Sequence, residues 1–330
     1  MNEVWFFLIV FLIAGYSVLD GFDLGVGILY PFVKKEADKR ICLKAIGPFW
    51  DGNEVWLVTA VGALFAAFPK VYATLFSGFY PLFIAILFGL IFRAIALEFR
   101  GKLDSPSWKL LWDRCFSIGS LVIAFLLGMI TGNLSLGVHQ APLLGELFHP
   151  YAFLTGLTAV LIFALHGASF LTLKTVGTLQ GRVRRVAGSL WFLVVVFCVL
   201  SVLAVGSRNP GEKPLFFWPL LFVALGSALC LPIFLRYTKD FSAFLASSVL
   251  LVALVGAGAF SVYPNWFYYR SGPLSGLSIY DSASSPETLK VMLIVALIGM
   301  PLVLAYTAVV YWIFRGKVEG EQFSSWSINE

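Results

Sequence analysis

The chain has 330 residues, of which 59% are hydrophobic and only 12% are charged, with a mean hydropathy of +0.89. Soluble globular domains carry about 25% charged residues, so this composition excludes a soluble protein and predicts an all-α polytopic membrane protein embedded in the lipid bilayer. The net charge of +5 does not indicate a nucleic-acid partner, because basic residues in a membrane protein serve to orient it.

Apolar stretches along the chain predict nine membrane spans, since a spanning helix needs about 20 mostly apolar residues. Eight stretches are clear, and the stretch 54–68 is short and ends at Pro69. The loops are short, so residues 1–330 are expected to form a single integral membrane domain. The predicted spans are 4–33, 54–68, 74–99, 115–133, 151–173, 186–206, 215–235, 241–263 and 290–314.

The first apolar run is interpreted as a true span and not as a cleaved signal peptide. Its N-terminal end has no basic residue, and no small-residue cleavage site closes it. The run also contains Asp20 and Asp23, which a signal peptide would not carry.

Lysine and arginine placement orients the spans. The segments 34–44 and 100–114 are basic, so both are expected in the cytoplasm by the positive-inside rule. An even number of crossings must separate them, so 54–68 is predicted to cross before 74–99 returns. This topology places most of the 23 lysines and arginines inside, with the N-terminus outside and the C-terminus inside.

The histidines and cysteines do not indicate a metal or haem site. His166, in the fifth span, is either a haem ligand or a hydrogen-bonded core residue. We favour the core residue, because a bis-histidine haem site needs a partner within the membrane, whereas His139 and His149 fall in an outer loop. The four cysteines are scattered and form no CxxC pair, so neither a disulfide framework nor a zinc site is expected.

Signals for other secondary structure are few. No strand is evident from the sequence. The long outer loop 264–289 contains Ser284, Ser285, Pro286 and Glu287, a pattern typical of a helix start, because a serine cap and an early proline suit the free N–H groups there.

Ionisable side chains inside the predicted spans are the most informative feature, because they are costly in a bilayer and mark functional sites. The topology brings the first three spans together at one depth near the cytoplasm. Asp20 and Asp23 lie three residues apart and share a helix face. The charged residues expected at this depth are Asp20, Asp23, Asp51, Glu54, Arg93 and Glu98.

Residue types alone leave two interpretations of this cluster open. Carboxylates within hopping distance of one another can form a proton relay from the cytoplasm, as they do in pumps. Alternatively, Arg93 neutralises one or two carboxylates and the cluster only holds three helices together. Because the carboxylates outnumber Arg93, the one arginine within a span, we favour the relay.

Several motifs carry a family resemblance. They are 20–27 (DGFDLGVG), 50–56 (WDGNEVW), 76–80 (FSGFY), 92–100, 175–177 and 278–286. In order and spacing, over nearly the whole chain, they resemble subunit II of cytochrome bd-type quinol oxidases. The first hundred residues are the most specific part of the match.

The resemblance implies an architecture and a partner. It implies nine helices, arranged as two four-helix bundles plus one peripheral helix, in the bacterial cytoplasmic (inner) membrane. It implies a subunit I that carries haem b, haem d and the quinol-oxidising loop, so that the complex oxidises quinol and reduces oxygen to water. A structural quinone or lipid in this chain and a small single-helix accessory subunit are further candidates.

The resemblance also implies roles for the polar residues. This chain would be haem-free and without catalytic residues, would stabilise subunit I and would supply it with cytoplasmic protons. Asp51 would lead the proton path, ahead of Glu54, which is glutamine in some family members. The other residues of the predicted site are Asp20, Asp23 and Glu98 on the path, Arg93 as charge partner, and Trp50, Asn53 and Trp56 as supports of the motif.

Two other functions are consistent with the residues alone. A stand-alone proton-coupled transporter would also use carboxylates within spans, but transporters often show inverted repeats and broken helices at the midplane. Here no repeat is evident and the acidic cluster lies off-centre. The third possibility is a purely structural partner whose acids are all ion-paired.

Overall fold

The computed structural model describes residues 1–138, 144–206, 216–269 and 276–318, and these are almost entirely helical. Two 3-10 turns, Tyr30–Phe32 and Leu144–Phe148, accompany the helices. The helices are α1 (Asn2–Leu29), α2 (Glu36–Ile46), α3 (Trp50–Ala67), α4 (Pro69–Gly78), α5 (Tyr80–Phe99), α6 (Pro106–Leu136), α7 (Pro150–Lys174), α8 (Gly177–Gly206), α9 (Phe217–Arg236), α10 (Asp240–Phe260) and α11 (Pro286–Ile313).

Within the described ranges, eight helices are long and apolar enough to cross a membrane, and the bent pair α3–α4 would bring the number of spans to nine. This confirms a polytopic all-helical membrane protein. The short predicted span corresponds to α3, which begins at Trp50 and whose 18 residues extend over about 27 Å. The orientation of the chain and its division into two four-helix bundles stay predictions.

The predicted third span, 74–99, is wrong in its first part. The structure divides it, because α4 ends at Gly78 and α5 begins at Tyr80. Pro69 and Pro81 occupy the first turns of α4 and α5, where a residue without an N–H is tolerated. Each proline also interrupts the hydrogen bonds that would continue the preceding helix. The axes of α3 and α4 consequently differ by 119°.

A short antiparallel pair of strands in the loop 264–289, which is predicted to lie outside, was not expected from the sequence. Strand β1 (Asn265–Tyr268) pairs with β2 (Gly276–Ser278), and Phe267 of β1 is fully buried. Aromatic residues favour strands, so the cluster at 266–269 carried a signal for this hairpin. Nearby, Ser284 donates from its backbone N to Ala67 O at 2.9 Å, which satisfies a free carbonyl at the end of α3.

The start of α11 is confirmed as the sequence predicts it. Ser285 is the N-cap, and its hydroxyl accepts a hydrogen bond from the backbone N of Thr288 at 3.3 Å. Pro286 lies in the first turn, where its missing N–H costs nothing. The most apolar part of α11 is not buried against the rest of the described chain, so this helix lies at the periphery of the helix bundle.

Helix α1 is central, because it packs against α3, α6, α7 and α10. Its closest approach is to α7, where two glycines face each other. A Cβ atom on Gly167 would lie 2.4 Å from the carbonyl carbon of Gly25, and one on Gly25 would lie 1.9 Å from Phe163 O. The two backbones therefore touch, as is common where small residues line the contact of membrane helices.

We expect Gly167→Ala to destabilise the protein by about 1–3 kcal/mol, because the added methyl group would overlap the backbone of α1. The measurement is the melting temperature of the detergent-solubilised complex. Gly188→Ala in α8 is the matched control, since no atom lies within 4 Å of its added carbon. An equal loss in both variants would contradict the close contact of α1 and α7.

Candidate functional site: a buried acidic cluster

Arg93 of α5 is the centre of the site, and it is fully buried. Its Nη1 donates to Asp20 Oδ2 at 3.0 Å and its Nη2 donates to Asp20 Oδ1 at 2.5 Å. The same Nη2 donates to Glu54 Oε1 at 2.6 Å. One guanidinium thus joins α1, α3 and α5 through a two-pronged, charge-assisted pair and a third bond. These ion pairs are the ones that the structural interpretation of the cluster, left open by the sequence, would require.

Small residues on α6 make room for Arg93. A Cβ atom on Gly119 would lie 2.8 Å from Gly89 O and 3.5 Å from the Cβ atom of Arg93. Helices α5 and α6 therefore approach closely beside the arginine. Sequence reasoning missed this support, although glycines in both spans were the available signal for a close helix contact.

Asp23 lies on the other side of the cluster and is also fully buried. Its Oδ2 accepts a hydrogen bond from Asn53 Nδ2 at 2.7 Å, whereas its Oδ1 has no hydrogen-bond partner among the described residues. Asn53 Nδ2 also donates to Leu19 O at 2.9 Å. The predicted motif residue Asn53 therefore contacts one of the predicted acids directly.

Tyr311 of α11 completes this chain of hydrogen bonds. Its hydroxyl donates to Asn53 Oδ1 at 3.1 Å. The sequence prediction did not include Tyr311, because it lies 258 residues from Asn53 and nothing in the local sequence distinguishes it from other tyrosines. Only the packing of the last helix beside α3 brings the two together.

The cluster contains more negative than positive charge. Asp20, Asp23 and Glu54 contribute three carboxylates, and Arg93 is the cation that contacts two of them. A buried carboxylate without a cation is costly, and a group in that position takes up a proton instead of staying charged. The arrangement can therefore hold at least one exchangeable proton in addition to the ion pairs.

The other predicted acids lie outside the cluster. Asp51, in the first turn of α3, is exposed and makes no hydrogen bond or ion pair with another described residue, although its carboxylate suits the helix N-terminus. Glu98 is exposed as well. It follows Arg93 by five residues, which turns it to the opposite face of α5.

The two tryptophans of the motif differ in burial. Trp50 is half-buried, and Trp56 is buried against Gly15 of α1, where an added Cβ atom would lie 2.2 Å from the indole ring. The indole Nε1 of Trp56 has no hydrogen-bond partner among the described residues. Trp56 thus positions α3 against α1.

A second ionic network lies beside the first, at the predicted cytoplasmic ends of the helices. Arg100 Nε donates to Asp113 Oδ1 at 2.5 Å, and Lys39 Nζ donates to Asp113 Oδ2 at 2.7 Å. Arg100 Nη2 also donates to Glu36 Oε2 at 2.9 Å. Partial burial alone would raise the pKa of Glu36, but the hydrogen bond and charge of Arg100 outweigh it and lower that pKa. The basic segments 34–44 and 100–114 are therefore tied together by acids of their own.

Both histidines of the described residues form hydrogen bonds with protein atoms. His166 is fully buried, with Nδ1 2.8 Å from Ser247 Oγ and Nε2 2.9 Å from Val18 O, so both ring nitrogens are engaged. The ring stacks on Phe244 at a centroid distance of 5.0 Å. His149 Nδ1 accepts from the backbone N of Tyr151, and His139 lies outside the described residues. The described residues also contain no cluster of three or more potential metal ligands.

Comparison with known proteins decides the family. Residues 1–314 match the family model of cytochrome bd terminal oxidase subunit II. The chain belongs to this family. The resemblance predicted from the motifs is thereby confirmed, and the chain is a subunit of a cytochrome bd-type oxidase, an oxidoreductase complex, in a bacterial membrane.

Relatives match this subunit II chain over nearly its full length. It is 34% identical over 336 residues to cytochrome bd ubiquinol oxidase subunit 2 of Bacillus subtilis, with 98% of each chain covered. It is 33% identical over 365 residues to cytochrome bd-I ubiquinol oxidase subunit 2 of Escherichia coli K12, with 97% and 96% covered. The probable cytochrome oxidase subunit 2 of Haemophilus influenzae is 34% identical over 361 residues, with 97% and 95% covered.

The fold is shared with a solved oxidase. A chain in the structure of bd oxidase from Geobacillus thermodenitrificans superposes with a TM-score of 0.76 at 19% identity, covering 95% of this chain and 98% of the other. At this identity the comparison supports the fold of the subunit and not the roles of its residues.

We expect Arg93→Ala to prevent normal assembly of the oxidase, because it leaves the carboxylates of Asp20 and Glu54 buried without a cation, at a cost of about 3–5 kcal/mol. The measurement is the yield and melting temperature of the purified complex. Arg315→Ala is the control, since this arginine is exposed and both its hydrogen bond and its cation–π contact are with Trp312, one turn away on the surface. Normal assembly of Arg93→Ala would mean that the ion pairs do not hold the helices together.

Proposed function

We propose that this chain is the haem-free subunit of a quinol:oxygen oxidoreductase. In this proposal it stabilises a haem-bearing subunit I and supplies cytoplasmic protons for the reduction of oxygen to water. The observation that carries the proposal is the buried cluster around Arg93, in which carboxylates outnumber the cation. A cluster built only for stability would need no surplus acid.

The proposed proton path follows a gradient of burial from the end of α3 inward. Asp51 is exposed, the Glu54 side chain is 22% exposed, and Asp20 and Asp23 are fully buried. Asp51 and Glu54 are three residues apart on one helix, and Arg93 bridges Glu54 to Asp20. Accessibility to water thus falls from Asp51 to Glu54 and is lost at the two buried aspartates, as a route from the cytoplasm into the membrane requires.

Asp23 is proposed as the inner proton carrier. Its Oδ2 has an amide donor, and its Oδ1 is buried without a hydrogen-bond partner among the described residues. A proton on Oδ1 removes the cost of burying a charge there. Glu98, on the opposite face of α5, stays a separate prediction as a second exposed acid of the path.

The partners of the chain follow from its family and from its uncovered surface. Helix α3 exposes an apolar stripe of Val55, Val58 and Phe65, and α11 is unburied along its apolar length. We propose that subunit I covers part of this surface and lipid the rest. Subunit I would hold haem b and haem d, which supply the electron transfer from quinol to oxygen. A structural quinone and a single-helix accessory subunit stay predictions.

The transporter alternative has little support in the geometry. The bent pair α3–α4 is a broken helix of the kind that transporters use at their binding sites. Its break at Phe68, however, lies at the end of α3 opposite to Asp51 and Glu54. The acids and the break therefore do not form one site.

We expect Asp51→Asn to cut quinol-driven oxygen uptake by about 10-fold or more, because the proposed entrance loses its proton-exchanging group. The measurement is oxygen consumption by the purified complex, with haem content from its absorbance spectrum. Asp104→Asn is the control, since this acid lies 94% exposed near the same ends of the helices. Loss of haem from Asp51→Asn would instead favour a structural role, and unchanged uptake would remove Asp51 from the path.

We expect His166→Gln to leave the amount of both haems per assembled complex unchanged, because both ring nitrogens of His166 already bind protein atoms. Absorbance spectra of the reduced complex, normalised to protein, test this. Selective loss of one haem from an otherwise intact complex would show that this chain supplies a ligand, and the haem-free assignment would be wrong.

A further inference from the structure

The last helix contributes one polar group to the acidic cluster. Helix α11 lies at the periphery of the described helix bundle, yet the hydroxyl of Tyr311 donates a hydrogen bond to Asn53 Oδ1 at 3.1 Å. Through Asn53 this contact is one hydrogen bond away from Asp23. Neither the sequence motifs nor the proton path described above uses Tyr311.

Three hydrogen bonds determine how the Asn53 amide points. An asparagine side chain has one acceptor oxygen and an NH₂ group with two donors. Both donors are used, one on Leu19 O at 2.9 Å and one on Asp23 Oδ2 at 2.7 Å. The oxygen faces Tyr311, which donates to it. With the amide turned over, its oxygen would face two acceptors, and Tyr311 is the donor that satisfies the oxygen in the observed orientation.

Aromatic packing and a lysine hold Tyr311 in place. The Tyr311 ring lies 4.5 Å from the buried ring of Phe49, centroid to centroid. Lys174 Nζ lies 5.0 Å from the centroid of the same Phe49 ring. It also donates a hydrogen bond to Phe314 O at the end of α11. The inner end of α11 is therefore anchored on α7, which sets the position of the tyrosine hydroxyl.

We propose that Tyr311 is a positioning residue for the proton path. It holds the Asn53 amide so that an N–H group meets Asp23 Oδ2, and this leaves Asp23 Oδ1 as the atom that takes up and releases the proton. The proposal rests on the proposed function of the acidic cluster. It assigns the last helix a part in proton transfer that is separate from packing.

Tyr311→Phe in the complete oxidase tests the proposal, because it removes one oxygen atom and keeps the ring on Phe49. We expect about a tenfold fall in quinol-driven oxygen uptake, the size of effect that one lost hydrogen bond produces, with unchanged haem spectra. Tyr306→Phe is the matched control, since Tyr306 lies on the same helix, is exposed and makes no hydrogen bond with another described residue.

Infrared difference spectra supply a readout that a purely structural role would not change. With the proton on Oδ1, Oδ2 is the carbonyl oxygen of the Asp23 acid, and a weaker hydrogen bond from Asn53 moves its stretching band to higher frequency. We expect this shift in Tyr311→Phe and not in Tyr306→Phe. The band itself is assigned by its loss in Asp23→Asn.

The outcomes separate the two proposals. A band that Asp23→Asn removes but Tyr311→Phe leaves in place would overturn the role of Tyr311 and keep the proton on Asp23. The same conclusion follows if Tyr311→Phe lowers only the melting temperature of the complex. If Asp23→Asn removes no band, Asp23 exchanges no proton during turnover, and the roles proposed for Asp23 and Tyr311 are both wrong. The entrance at Asp51 is tested separately by Asp51→Asn.

Discussion

The rest of the structure depends on one buried cation and the groups that neutralise it. An arginine within a membrane span is tolerated only where carboxylates or carbonyls surround it, since lipid offers it no partner. Arg93 obtains Asp20 from α1 and Glu54 from α3, so these helices must meet α5 at one depth. The position of three helices is thus set by a single side chain whose charge cannot be removed at any physiological pH.

Close helix contacts are the second condition for the cluster. The guanidinium can reach both acids only if the backbones around it approach closely, and glycines allow this on two sides. Gly25 and Gly167 bring α1 against α7, while Gly89 and Gly119 bring α5 against α6. The polar site therefore depends on the close packing of the helices, and the ion pairs of Arg93 in turn hold these helices together.

The structural and the proton-conducting interpretations of the cluster do not exclude each other. The bidentate pair of Arg93 with Asp20 engages both carboxylate oxygens, and it serves the fold. Among the described residues, Asp23 Oδ1 has no hydrogen-bond partner and Asp23 contacts no cation, and this surplus acid is what a proton carrier requires. In the proposed function, Asp20 and Glu54 hold the helices through Arg93 while Asp23 exchanges the proton.

The sequence by itself determined the membrane class, the approximate spans and the common depth of Asp20, Asp23, Glu54 and Arg93. Hydropathy along the chain locates the spans, and the positions of the basic segments determine how many crossings separate them. It also determined the start of α11 through its local cap. Only the tertiary structure decided that Asp51 and Glu98 are exposed, that α4 separates from α5, and that Tyr311 joins Asn53. The reason is physical: rotation of a helix about its axis and contacts between distant helices arise from packing, and no short stretch of sequence specifies them.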